Sequence, residues 1–294
     1  MKEGWRADLA LVLVSILWGT TFVIVKQALT DVSALLFLAL RFSLAAGVLW
    51  AIFRGRRSGA PDARSEWLGG LLSGGFLFAG YALQTWGLAL TTPSKSAFLT
   101  GLYIVLVPLL AALVYRKRPH PSEWMGVLVA TGGVAVLTIP DVRLQIGAGD
   151  LLTMACAVAY AGQVLVLERF SRRGSFERLA LVQIATVAAA SAATCWWVEK
   201  PRIVWSSGVV TAVLVTGLAA TALAFAVQTW AQARTTATRA AVIFSLEPAF
   251  GAATSVIAGA EPLTWAMLGG AGLILSGIAI AELKPVRFGE HPSK

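Results

Sequence analysis

The stretch Ala82-Leu-Gln-Thr-Trp-Gly-Leu-Ala-Leu-Thr-Thr92 returns as Ala226-Val-Gln-Thr-Trp-Ala-Gln-Ala-Arg-Thr-Thr236, with seven of eleven positions identical. The repeat reaches beyond this echo. An offset of 142 aligns Asp8 with Asp150, Trp18 with Tyr160, Lys26 with Glu168 and Arg41 with Gln183. An offset of 144 aligns Lys95 with Arg239, Gly126 with Gly270 and Gly133 with Gly277. The change of register falls in a loop. The chain therefore reads as two related halves, 1–142 and 143–294.

Composition says where such a chain lives. Hydrophobic residues make up 57% of it and charged residues 13%, where a soluble domain carries about 25% charge. The exterior must face lipid. A spanning helix needs about 20 apolar residues. Ten such windows run near 8–26, 33–53, 67–90, 94–115, 121–139, 148–169, 176–198, 207–231, 238–259 and 263–282. The gaps leave no room for a soluble domain. A backbone in lipid must satisfy its own hydrogen bonds, which favours helices, and no alternating barrel strands are seen. The first window is too long for a signal-peptide core and reads as the first span. The expected fold is all-α and polytopic, with five spans per half. Because five is odd, the second half enters the membrane inverted, the usual architecture of a secondary transporter.

The net charge of +9 does not point to nucleic acid, because of its distribution. With a cytoplasmic N-terminus, 18 Lys and Arg fall on the cytoplasmic side and five on the other, with Arg41 inside a span. That bias places both termini in the cytoplasm and supports the count of ten spans. Ten of the eleven tryptophans lie near span ends, as an interfacial belt; Trp18 is the exception. Cys156 and Cys195 lie in apolar windows and read as buried free thiols.

Trp18-Gly-Thr-Thr-Phe-Val-Ile-Val-Lys26, Arg41-Phe42, the Pro108 segment, Leu246-Glu247-Pro248 and Glu261-Pro-Leu-Thr264 resemble, in order and spacing, the two EamA domains of the drug/metabolite transporter superfamily. The resemblance covers almost the whole chain. It implies a ten-helix, two-repeat carrier of small metabolites, often an exporter. It also implies a central cavity lined by the first four helices of each half, with the fifth and tenth peripheral. One departure stands out: where the first repeat usually has an acid matching Glu261, this chain reads Tyr115-Arg-Lys-Arg118.

Four windows carry an aromatic ring followed three residues later by a polar group: Trp18/Thr21, Tyr81/Gln84, Tyr160/Gln163 and Phe225/Gln228. Spacing of three puts both on one helix face, and the repeat relates the pairs two by two. An amide in lipid is costly unless it has partners or faces water. These faces are candidates to line a substrate cavity, with Tyr103 added from the fourth window. The alternative is interhelical packing with hydrogen bonds.

Arg41 and Glu247 are the charges deepest in spans, each costing roughly 2.5–3.5 kcal/mol at a helix centre on insertion scales. They are candidates for an ion pair, for separate satisfaction by neighbours, or, in Glu247, for proton or substrate coupling. Lys95 and Arg239 begin the fourth and ninth windows and are candidate mouth cations for an anionic solute; snorkelling to headgroups is the other reading. Pro108 and Pro248 are expected to interrupt those same helices. Gly69-Gly70, Gly74-Gly75 and Gly269-Gly270 read as close helix packing.

The sequence has no phosphate-binding GxxxxGK[ST] loop, no HExxH, GxSxG or CxxC motif, and no metal spacing. No cofactor and no enzymatic activity are expected. The partners are the bilayer and a small solute, with a proton as candidate coupling ion. The expected function is an exporter of a small polar or amphiphilic metabolite, such as an amino acid, in a bacterial inner membrane. A membrane-embedded enzyme acting on a lipid-like substrate, or a channel or scramblase, is the alternative.

Overall fold

A computed structural model of the chain describes residues 4–55, 63–91, 93–116, 120–138, 146–257 and 262–282. Its first-half helices are α1 (Gly4–Gly19), α2 (Phe22–Ala28), α3 (Ala34–Phe53), α4 (Ala63–Leu90), α5 (Pro93–Gly101), α6 (Tyr103–Tyr115) and α7 (Pro121–Thr138). The second half has α8 (Ala148–Ser171), α9 (Phe176–Val198), α10 (Ser207–Gly217), α11 (Ala224–Gln232), α12 (Ala237–Phe244), α13 (Leu246–Ile257) and α14 (Trp265–Glu282), with a π-helical turn at Leu218–Leu223. Joined end to end where only a turn separates them, the described helices form ten rods, one per apolar window. Five rods are long and apolar enough to cross a bilayer by themselves. Local chemistry sets several starts. Pro93 and Pro121 are first helical residues, where a missing N–H costs nothing. Ser175, Ser206 and Thr236 cap α9, α10 and α12 with their side-chain oxygens.

The hydropathy windows misplace some ends. α4 starts four residues before its window, at Ala63. The added turn holds Glu66, which is buried: its carboxylate accepts from the Ser175 amide at 2.7 Å and pairs with Arg178 at 3.1 Å. A polar turn with an internal partner looks like a loop to a hydropathy scan.

The interruptions also differ from expectation. α13 starts two residues before Pro248, which has no N–H for the Phe244 carbonyl. Pro108, in contrast, lies inside α6, and that rod breaks earlier, at Leu102 beside Gly101. One missing N–H leaves the rest of the helical ladder intact, so the helix can run through. Gly101 and Ser245 are repeat mates, so both fourth spans break at the same place although one break has a proline and the other does not. The first span also breaks, at Thr20-Thr21, just after Trp18.

Direction follows from glycine contacts. A Cβ on Gly126 would lie 2.6 Å from the Gly277 carbonyl, and one on Gly133 would lie 2.6 Å from the Gly270 carbonyl. Rising numbers in α7 meet falling numbers in α14, so the two run antiparallel. The repeat maps Gly126 onto Gly270 and Gly133 onto Gly277, which turns this contact into itself. α3 and α9 are also repeat mates and antiparallel: Phe53 stacks near Phe176 at one end, and Glu199 accepts from the Leu35 amide at the other. Five-rod halves related in this way are inverted. Gly69 meets Phe170 of α8, and Gly70 and Gly74 meet Val182 and Thr186 of α9. Gly75 and Gly269 have open space around their Cβ positions, so these two are not packing glycines.

The outer surface is apolar, with Leu113, Trp197 and Trp265 largely exposed. Inside are two buried clusters, one around Leu11, Val107 and Phe244 and the other around Phe37, Phe42 and Phe225. Trp18 and Tyr160, mates in the repeat, each touch both clusters. The cavity lies between the clusters.

Candidate functional site

The cavity encompasses about 700 Å³ of non-protein space, the open solvent at its mouth included. All nine candidate cavity residues meet on its wall: Trp18, Thr21, Tyr81, Gln84, Tyr103, Tyr160, Gln163, Phe225 and Gln228. Arg41 and Glu247 line it too. α7 and α14 contribute nothing to the lining, as the resemblance implies for peripheral helices. α9 also contributes nothing, which differs from that expectation. Its Gln183 stands one layer back, donating to Thr229 at 2.9 Å and accepting from Gln163 at 3.3 Å.

The rings form a continuous apolar wall. Trp18 lies 5.3 Å from Phe225 and 5.2 Å from Phe244 between centroids. The mate of the first contact is Tyr160 against Tyr81 at 5.6 Å. Tyr103 reaches both Tyr160 and Phe244 at 6.5 Å. The Trp18/Thr21 pair does not sit on one uninterrupted helix, because the chain breaks between the two. The Thr21 hydroxyl donates to the Trp18 carbonyl at 2.8 Å, closing the break.

The polar groups are mostly bonded to one another. The Tyr160 hydroxyl donates to Gln84 Oε1 at 2.9 Å, and Gln84 Nε2 donates to the Thr100 hydroxyl at 3.1 Å. Gln163 and Gln228 exchange long bonds of 3.4 Å. Trp18 has only an N–H to give, and it donates to the Ala220 carbonyl at 2.9 Å. That carbonyl belongs to the π-helical turn, where the backbone ladder is displaced and acceptors turn outward.

Arg41 uses the same turn. Its Nε donates to Thr221 Oγ1 at 2.6 Å, and its terminal nitrogen reaches the Tyr81 hydroxyl at 3.3 Å and the Ala220 carbonyl at 3.4 Å. The guanidinium also lies 4.8 Å from the Tyr81 ring centre and 5.4 Å from that of Phe42. Arg41 and Glu247 do not pair: among the described residues they share no ion pair. Arg41 is satisfied by the π turn and the rings. Glu247, in the first turn of α13, is 9% exposed and has no hydrogen-bond partner among the described residues. Cys156 and Cys195 are buried free thiols.

Arg239 pairs with Asp8 at 2.6 Å, so its charge is already answered. The backbone of Lys95 lies in the first turn of α5. Glu261, Lys117 and Arg118 lie outside the described residues.

The spacing rule could also have found Phe244/Glu247, an aromatic–polar pair at three residues whose mates are Thr100 and Tyr103. No sequence signal marks the π turn at Leu218–Leu223, which supplies the acceptors for Trp18 and Arg41.

The EamA-like transporter family model matches residues 5–139 and again 147–283. An "Uncharacterized transporter" of Archaeoglobus fulgidus is 32% identical over 278 residues, 95% of this chain and 86% of that one. An uncharacterized transporter of Synechocystis sp. is 28% identical over 142 residues, 46% of this chain and 42% of its own. A solved crystal structure aligns with TM-score 0.78 at 24% identity, over 94% of this chain and 96% of the other, and so shares the fold.

Proposed function

The chain belongs to the EamA-like transporter family, and from that premise we propose that it is a secondary carrier that exports a small polar or amphiphilic metabolite, an amino acid or related compound, by alternating access. It is a multi-pass membrane protein, and the charge bias of its loops supports a bacterial inner membrane with both termini in the cytoplasm. The observation that carries the reading is the cavity between the two inverted halves, walled by residues the repeat relates. Two halves of shared ancestry but opposite direction give two nearly equivalent arrangements, one open to each side. A channel would need a path open to both faces at once.

Cysteine substituted at Thr21 tests this. A carrier shows labelling from one side that shifts to the other when solute or gradient changes; simultaneous labelling from both sides would make it a channel. A proton is the proposed coupling ion, with Glu247 as its carrier. Glu247→Gln then abolishes flux driven by a pH gradient in proteoliposomes, while solute exchange at saturating concentration continues. Gradient-driven flux that survives the substitution removes the coupling role.

A further inference from the structure

We infer that the solute is an amine without a carboxylate, carried on a ring-sized apolar body, and that the Glu247 carboxylate binds its positive centre. This rests on the carrier reading and narrows it to one chemical class.

The argument starts from the charges on the cavity wall. Among the described residues there are two, Arg41 and Glu247. Arg41 is engaged on every side the structure shows, by Thr221, Tyr81, the Ala220 carbonyl and two ring faces. Glu247 is more than nine-tenths buried, faces the cavity and makes no hydrogen bond or ion pair among the described residues. A buried carboxylate without a partner is costly, and a charged partner with donors offsets that cost. An ammonium supplies both the charge and up to three donors.

The surroundings suit the rest of such a molecule. Phe244 precedes Glu247 by three residues, and its ring meets those of Trp18 and Tyr103. Ring faces attract cations, most strongly where water is excluded. The amides that could orient a carboxylate or hydroxyl are already bonded: Gln84 to Tyr160 and Thr100, Gln163 to Gln228 and Gln183. An anionic solute would meet the Glu247 carboxylate as a like charge.

The test uses four compounds with the same benzene ring: 2-phenylethylamine as cation, 2-phenylethanol as neutral, 3-phenylpropionate as anion and phenylalanine as zwitterion. Binding to the full chain in lipid nanodiscs is measured by calorimetry at neutral pH. The amine is expected to bind about tenfold or more tighter than the alcohol, as a charged contact requires. In Glu247→Gln that preference collapses while the alcohol binds as before; Glu247→Asp keeps part of it. Unchanged alcohol binding shows that the variant cavity is intact. Tighter binding of the anion or the zwitterion assigns charge recognition to Arg41 and overturns the inference. So does equal binding of amine and alcohol, or no binding by any of the four. The side-switching of Thr21→Cys labelling is measured separately, so failure here leaves the carrier reading standing on its own result.

Discussion

Replacing Arg41 by lysine keeps a positive charge on the cavity wall and removes the planar fork that holds it there. Arg41 makes one short bond, 2.6 Å to Thr221, and two long ones to Tyr81 and the Ala220 carbonyl. A hydrogen bond to a charged group contributes about 1.5–3 kcal/mol net, and a desolvated cation on a ring about 2 kcal/mol. A lysine ammonium reaches one acceptor and gives up the stacked plane. The expected loss is roughly 2–3 kcal/mol once its remaining contact is allowed for. At about 2–4 °C per kcal/mol for a chain of this order, Tm falls by roughly 5–10 °C. Thermal unfolding in nanodiscs reads it. Thr221→Val should cost a similar amount, and the double variant should cost less than the sum, because both changes remove the same bond. KM for solute should change by no more than about twofold, since Arg41 serves as scaffold. An unchanged Tm with a tenfold rise in KM would refute this reasoning and make the guanidinium a substrate ligand.

Three more expectations follow the same logic. Gly133→Val drives a side chain into the Gly270 carbonyl and the Ile274 amide, 2.6 and 2.7 Å from the new Cβ; backbone cannot yield there, and the overpacking costs about 1–3 kcal/mol. Gly132→Val, with nothing within 4 Å, is the control and leaves Tm unchanged. Lys26→Met removes three bonds, of 2.6, 3.0 and 3.0 Å, to the carbonyls of Leu88, Ala89 and Thr91 at the end of α4; hydrogen exchange at that end should quicken, and unaltered exchange would deny the cap. Glu247→Gln removes a buried carboxylate that has no partner among the described residues, so Tm should hold or rise; a marked fall would reveal a structural partner for it.

How the repeat conserves structure while changing residues is visible at Lys26. Its mate is Glu168, which cannot donate to a helix end. In the second half Arg172 donates to the Thr235 carbonyl at 2.8 Å instead, and Glu168 pairs with Arg172 at 3.4 Å. Thr235 is the mate of Thr91. The same backbone position is served by a different side chain, and an alignment of residue types alone would miss it.

The sequence by itself determined the number of rods, the odd count per half and hence the inversion. Apolar length and charge bias are properties of a segment taken alone, and the bilayer reads each segment separately. It also marked nine cavity residues, because a ring and a polar group three apart share a face whatever that face packs against. Tertiary structure decided the rest. It set the break beside Gly101 rather than at Pro108, bound Arg41 to the π turn rather than to Glu247, and answered Arg239 with Asp8. The last two depend on which acceptor stands within hydrogen-bond reach across a helix interface. That distance is set by how neighbouring helices pack and is written in no single segment.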